Sequence, residues 1–284
     1  MGKVFESPKT FEGMSQYRPP LCFELTGKTF ELVMDTGYDY ELTFINRKSL
    51  CFGEKDKPSE EYSYECLKVE DDTYFVNFEL TGASPRACMT FVLDIEQSLV
   101  TACHCTVGQN PRWPKMPKPH IMFGAIRKED GTIAQLRHGY TSDMAGKAIH
   151  WNYGNLEVVH VYYSERYYRL TQTKAGMDRL KIEKPDVYEM LSKRNIETIL
   201  EDPCSMIKIK DGIYVFAVNE ETMNRQRGSG NHLFFLMNLN RMYDVGRSFG
   251  HNWEGLPENY TYGAFGEYYD VGDLLTREST EFIK

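Results

Sequence analysis

Glu220 ends a row of alternating residues, Tyr214, Phe216 and Val218, within a run that reads as a strand. Alternate side chains of a strand share a face, so a carboxyl at 220 follows those three into the same interior. Set among apolar groups, it holds its proton towards neutral pH or recruits a donor or cation. Either response suits proton transfer. If the strand frays near 219, Glu220 instead stands in solvent at the rim.

A second set lies upstream. With a turn at Gly154-Asn155 or one residue later, Ile149, Trp151 and Tyr153 share a face with Val158, His160 and Tyr162. Four hydrogen-bonding aromatic side chains (Trp151, Tyr153, His160, Tyr162) on one face exceed what packing needs, because each buried polar handle requires a partner. They fit a ligand-binding lumen. The alternative is an outward face covered by the other half of the chain or another subunit. In the hairpin around Asp211-Gly212, a two-residue turn pairs Lys210 with Ile213 and Ile209 with Tyr214. Lys208 and Lys210 then face water, and Ile207 and Ile209 join Tyr214, Phe216 and Val218 inside.

Other signals are weaker. Arg225 and Arg227 flank Gly228-Ser229-Gly230, a loop in which they clamp a carboxylate or are simply solvated. Tyr260, Tyr262 and Trp253 line a rim or pack between domains. Cys103-His104-Cys105 has no second ligand pair with the spacing that zinc requires, so no metal is expected. No Ser-His-Asp set, His-Glu-x-x-His motif or phosphate loop is present, and Gly228-Ser229-Gly230 lacks the third glycine of a dinucleotide site.

The elements that carry these residues recur. Gly27-Lys28-Thr29 returns at Gly146-Lys147-Ala148, Lys68 to Phe75 at Lys208 to Val215, and Phe123-Gly124-Ala125 at Tyr262-Gly263-Ala264, with offsets of 119, 140 and 139. The chain is therefore read as a duplicated domain. Short strand-like runs with tight turns imply antiparallel sheet, and closure into barrels removes the edges. The expected fold is all-β: two tandem lipocalin-like antiparallel barrels, with one short helical insertion in the second. The expected order is an arm over 1–20, a first barrel over 21–126, a linker over 127–143, a second barrel over 144–269 and a tail over 270–284. A helix is expected at about 184–201, from Pro185 at its start and Val187, Leu191 and Ile199 at helical spacing. It caps a barrel end or serves as a lid.

The chain has 284 residues and a net charge of −8. Nucleic acid and anionic membranes are therefore not expected as partners. No apolar run approaches the roughly 18 residues of a membrane span, and the first residues carry no apolar signal region. Seven scattered cysteines suit reduced thiols. A cytoplasmic protein is expected, with a small-molecule ligand and room for a homodimer.

Asp202-x-Cys204, Lys208-Ile209-x-Asp211-x-Ile213-Tyr214-Val215-Phe216, Glu220 and Gly246-Arg247-Ser248-Phe249-Gly250 resemble the C-terminal domain of MoaF-like proteins. The first copy resembles the N-terminal domain of that family. The resemblance covers most of 21–269 and implies a pair of lipocalin-like barrels. The second copy also resembles the phenolic acid decarboxylases, which are single barrels of this kind. Gly146 to Tyr153 corresponds to their Gly-x-x-x-x-Tyr-x-Tyr strand, with Trp151 at the first tyrosine and Tyr153 at the second. Glu220 stands where their catalytic glutamate follows a Gly-Val-Tyr strand, and Arg179 is nearest to their arginine. The first copy has Leu32, Met34 and Leu80 at the tyrosine and glutamate positions.

These readings combine into one expectation. The second barrel binds a small aromatic or amphiphilic molecule and acts on it without a cofactor, as a lyase, decarboxylase or isomerase does. Glu220, Tyr153 and His160 are the expected catalytic residues; Trp151, Tyr162, Arg179, Tyr214, Phe216 and Arg225 the expected binding residues. Trp151 in place of tyrosine removes an acceptor and weakens the expectation of decarboxylation itself. The competing expectation is a carrier or sensor that binds without turnover.

Overall fold

A computed structural model describes residues 16–154, 156–172, 177–178, 181–182, 185–192, 200–252 and 255–270. Eight antiparallel strands close the first barrel: β1 (Thr29–Met34), β2 (Asp39–Phe44), β3 (Ser49–Glu54), β4 (Glu60–Glu70), β5 (Thr73–Glu79), β6 (Arg86–Asp94), β7 (Leu99–Val107) and β8 (Pro117–Ile126). A short strand, β9 (Gly139–Tyr140), follows within the expected linker and pairs with the second barrel. That barrel comprises β10 (Lys147–Asn152), β11 (Glu157–Tyr162), β12 (Tyr167–Gln172), β13 (Leu200–Lys210), β14 (Ile213–Asn219), β15 (Asn231–Asn238), β16 (Tyr243–His251) and β17 (Pro257–Tyr268), closed by pairing of β12 with β13. The fold is thus two tandem antiparallel barrels. Helix α1 (Pro185–Ser192) lies in the β12–β13 connection, and α2 (Glu221–Arg227) joins β14 to β15.

The duplication is legible in strand pairing. Leu32 pairs with Ile126 as Trp151 pairs with Gly266, so 126 corresponds to 266, an offset of 140. The sequence echo of Phe123 at Tyr262 is therefore one residue out of register. Phe123 points outward against Tyr140, whereas Tyr262 is buried inside. Both barrels also carry the same tether. Tyr74 and Lys68 bond Glu24 at 2.9 and 3.0 Å, and Tyr214 and Lys208 contact Asp143 at 3.1 and 3.3 Å.

A bulge in the β13–β14 hairpin overturns part of the expected register. Lys208, not Ile209, pairs with Tyr214, and Ile209 is the extra residue before Lys210 pairs with Ile213. The alternation upstream is thereby inverted. Ile207 and Ile209 face the first barrel, not the lumen, and pack with Ile213, Val215, Leu67, Val69 and Phe75. The β4–β5 hairpin has the matching bulge between Lys68 and Glu70. The two hairpins reach across in opposite senses: Glu70 meets Asn238 and Arg241, and Lys210 meets Asp94 and Glu96. Two related domains thus pack through an internal near-twofold interface.

Candidate functional site

The interiors of the two barrels differ in chemistry. The first is filled by Leu32, Met34, Phe44, Phe52, Phe78, Phe91, Val100 and similar side chains. In the second, Trp151 and Tyr162 are wholly buried and the indole Nε1 donates to the Tyr162 hydroxyl at 3.2 Å. His160 Nδ1 lies 3.4 Å from the same hydroxyl, and its ring packs against Tyr168, Phe216 and Phe235. Burial pushes the His160 imidazole down to about 3, so it is neutral across the physiological range. Tyr153 donates to Asp244 Oδ2 at 3.2 Å. Burial raises the Asp244 carboxyl to about 8.

Close approach of rings to the wall depends on glycine. A Cβ at Gly246 would come within 2.7 Å of the Tyr262 ring, and one at Gly266 within 2.5 Å of Trp151. These strand glycines let the aromatic rings lie on the backbone. Trp151, Tyr153, His160, Tyr162 and Phe216 thus belong to one connected aromatic interior.

Glu220 belongs to a different neighbourhood. Strand β14 ends at Asn219 and Glu220 is the N-cap residue of α2, so it does not continue the strand as expected. It is partly buried, and its Oε2 accepts from the Asn231 amide at 2.9 Å. The Asn231 side chain donates to Glu258 Oε2 at 3.2 Å. Glu258 is held up to about 7, first by burial and next by the charge of Glu220. Ser248 and Tyr260 pair across β16 and β17 on the same inward side. Six strand residues, roughly 20 Å, separate this end from the level of Tyr214 and Asp244.

Tyr214 lies at that opposite end, its hydroxyl turned to Asp143. Arg225 is not on a loop: it lies on α2 with its side chain 75% exposed, paired with Glu221 at 3.0 Å. Arg179 and Trp253 lie outside the described residues. Cys103 and Cys105 pack between the barrels with Cys88 and the buried Arg247, which bonds Thr90, the His232 carbonyl and Cys103 Sγ. Among the described residues no group of three or more His, Cys, Asp or Glu is placed to hold a metal ion. No helix among them is long and apolar enough to cross a membrane.

Residues 10–109 match the family model of the MoaF N-terminal domain. The match spans most of the first barrel, which is similar to that domain. Among solved structures, a chain from Burkholderia vietnamiensis described as a "putative beta-lactamase" is 21% identical, covering 39% of this chain and 96% of its own, with a TM-score of 0.28. No curated protein matches the chain.

With the first barrel as internal reference, strand pairing shows where the second copy differs. Met34 pairs with Gly124 and Gly124 with Val100; in the second copy Ala264 pairs with Asp244. Asp244 therefore replaces Val100 and Tyr153 replaces Met34. By the same ladders Glu220, Asn231 and Glu258 replace Leu80, Ala87 and Lys118. Sequence reasoning missed Asp244, Asn231, Ser248 and Glu258. Their shared parity with Phe235, Gly246 and Tyr262 on adjacent strands was the available signal.

Proposed function

We propose that the second barrel binds a small aromatic or amphiphilic molecule and performs cofactor-free acid–base chemistry on it, of lyase or isomerase type, in the cytoplasm. One observation carries the reading: Asp244 and Glu220 stand in the second barrel where the first barrel has the aliphatic Val100 and Leu80. Glu220 is the proton-transfer group. The rings of Phe216, Phe235, Tyr168 and Tyr262 form an apolar floor towards the middle of the lumen. Tyr153, His160 and Tyr162 pack against these rings, and Trp151, Tyr162, His160 and Tyr153 hydrogen-bond among themselves and to Asp244. His160, kept neutral, serves as an acceptor or donor and not as a cation.

The test is incubation of the purified protein with phenolic acids, aromatic amines and small lactones, read by mass spectrometry, beside Glu220→Gln. An enzyme turns over at least one compound and loses turnover, with affinity largely kept, in the variant. Binding without product from any bound compound would establish a carrier. Absence of both would remove the lumen reading.

A further inference from the structure

The α2 end of the second barrel gathers buried polar atoms that the protein itself leaves without hydrogen-bond partners. Glu258 Oε1, Asn231 Oδ1 and Ser248 Oγ are three such atoms, on residues only 1%, 8% and 1% exposed. They sit on three adjacent strands, β15, β16 and β17, at inward-facing positions. Buried polar groups are normally satisfied, so several orphans at one place mark a site shaped for something else. The facing carboxylate oxygens of the two glutamates are committed. Glu258 Oε2 takes the Asn231 side-chain amide, and Glu220 Oε2 takes the Asn231 backbone amide. The Asn252 side chain stands beside Glu258 and eases its ionisation.

We propose that Glu220 and Glu258, coupled through Asn231, form a two-carboxyl centre that binds a small enolisable carbonyl compound and moves a proton on it. This rests on the acid–base reading of the second barrel and names the substrate class and second acid for it. Glu258, protonated, donates through Oε1 to the carbonyl oxygen, and the Ser248 hydroxyl supplies a second donor to that oxygen. Asn231 Oδ1 accepts from a hydroxyl or amine elsewhere on the ligand. Glu220, ionised, takes a proton from the carbon beside the carbonyl. The C–H electron pair becomes the C=C bond of an enol while the carbonyl oxygen gains the Glu258 proton. Glu220 ends protonated and Glu258 ionised, so charge and protons balance without a cofactor. One carboxyl neutral and its neighbour charged is the division of labour that such pairs use.

The charged and titratable groups facing Glu258 agree with these assignments. Glu220, at the α2 N-cap, favours the neutral acid, while Arg86 of the first barrel, bonded to the Glu258 backbone carbonyl at 2.9 Å, opposes it. Tyr260, on the same strand, is kept un-ionised by burial and by both carboxylates. His251, near Arg86 and Lys115, is lowered to about 4 and neutral at pH 7.

The experiment uses the full chain and 4-hydroxyacetophenone in heavy water, with proton NMR of the methyl group. Wild type catalyses exchange of the methyl protons, and Glu220→Gln and Glu258→Gln each lose about a hundredfold of that rate. Ser248→Ala loses less, and Glu41→Gln on the first barrel is unchanged. In parallel, a carbon-13 label in the glutamate carboxyls follows Glu258, assigned by its loss in Glu258→Gln, which also reports that the fold persists. Its titration midpoint falls by about one pH unit in Glu220→Gln. Exchange lost in Glu220→Gln but kept in Glu258→Gln overturns the pair while leaving the acid–base reading intact. A Glu258 midpoint in the ordinary carboxyl range, or one unmoved by Glu220→Gln, overturns the coupling. No exchange with wild type overturns the proton transfer, whether or not the compound binds.

Discussion

Tyr153 and Asp244 are joined by a buried hydrogen bond of 3.2 Å where the first barrel places Met34 and Val100. The pair places an acid where the first barrel has an apolar wall, and it has a cost that varies with pH. Burial raises the Asp244 carboxyl from 3.8 to about 8, so the native state keeps a proton that the unfolded chain releases. Stability from this group is complete below about pH 4 and declines as pH rises towards 8. Asp244→Asn removes the decline and leaves an acceptor for Tyr153. The variant should melt several degrees higher than wild type at pH 8, and the gap should close on acidification. Thermal unfolding across the pH range measures it; equal melting at pH 8 would deny the shift.

The inner wall makes a steric prediction. Gly246 lies under the Tyr262 ring, and a methyl group there would meet ring atoms at 2.7 Å. Gly246→Ala should cost about 1–3 kcal/mol through forced movement of Tyr262. It should also alter the near-ultraviolet circular dichroism of the Tyr153–Tyr262–Phe235 cluster. Chemical denaturation with both signals checks it. Gly263, next to Tyr262 on β17, faces outward against Tyr17 and Arg18, and a change there should spare the tyrosine signal.

These cases show which features the sequence could and could not carry. The turn at Asp211-Gly212, the echo of its hairpin at Lys68 to Phe75 and the alternating strands on either side sufficed for a duplicated antiparallel barrel. The bulges after Lys68 and Lys208 did not announce themselves, because an extra β-branched residue in a strand looks like any other. They send Ile207 and Ile209 to the inter-barrel face. Asp244 and Glu258 did not stand out beside Tyr243 and Pro257, since alternation alone does not say which parity is inward. That is fixed by closure, when β17 meets β10 through Trp151 and Gly266. Trp151, Tyr153 and Tyr162 were legible as one shared face from their common parity, and in the structure that face lies inside.

The barrels adhere through a buried arginine. Arg247 reaches from β16 to Thr90 at 2.9 Å and Cys103 at 3.6 Å on the first barrel, and binds the His232 carbonyl at 2.7 Å. Burial raises the Cys88 thiol to about 12 and the Cys103 and Cys105 thiols above their usual value. In the native protein these three should resist aromatic disulfide reagents at pH 8, for want of both access and thiolate. Arg247→Ala should cost about 3 kcal/mol and admit the reagent to them. Labelling followed by peptide mapping gives the result; rapid native labelling of Cys103 in wild type would contradict the buried interface.

Tyr214 and Phe216 share a strand face but not a role. The Tyr214 hydroxyl is engaged by Asp143 beside Lys208, repeating the Tyr74–Glu24–Lys68 tether of the first barrel. Phe216 is wholly buried against His160, Tyr162, Tyr168 and Phe235. For any ligand of the second barrel, Tyr214→Phe should leave affinity within about twofold, whereas Phe216→Ala should weaken it at least tenfold, about 1.4 kcal/mol or more. Calorimetric titration distinguishes them; a large loss in Tyr214→Phe would move the site to the Asp143 end.

His160 gives the opposite pH trend to Asp244. Its ring is lowered from 6.5 to about 3 by burial, so the unfolded chain takes up a proton that the native barrel refuses. The stability it contributes is present above about pH 6.5 and is lost as pH falls towards 3. His160→Phe replaces the ring with one suited to the same aromatic surroundings and has nothing to protonate. Its melting temperature should change little near neutrality and fall less steeply than wild type between about pH 6 and pH 4. Parallel slopes for the two proteins would mean that His160 titrates normally. It would then have to reach water, which packing against Tyr168, Phe216 and Phe235 does not allow.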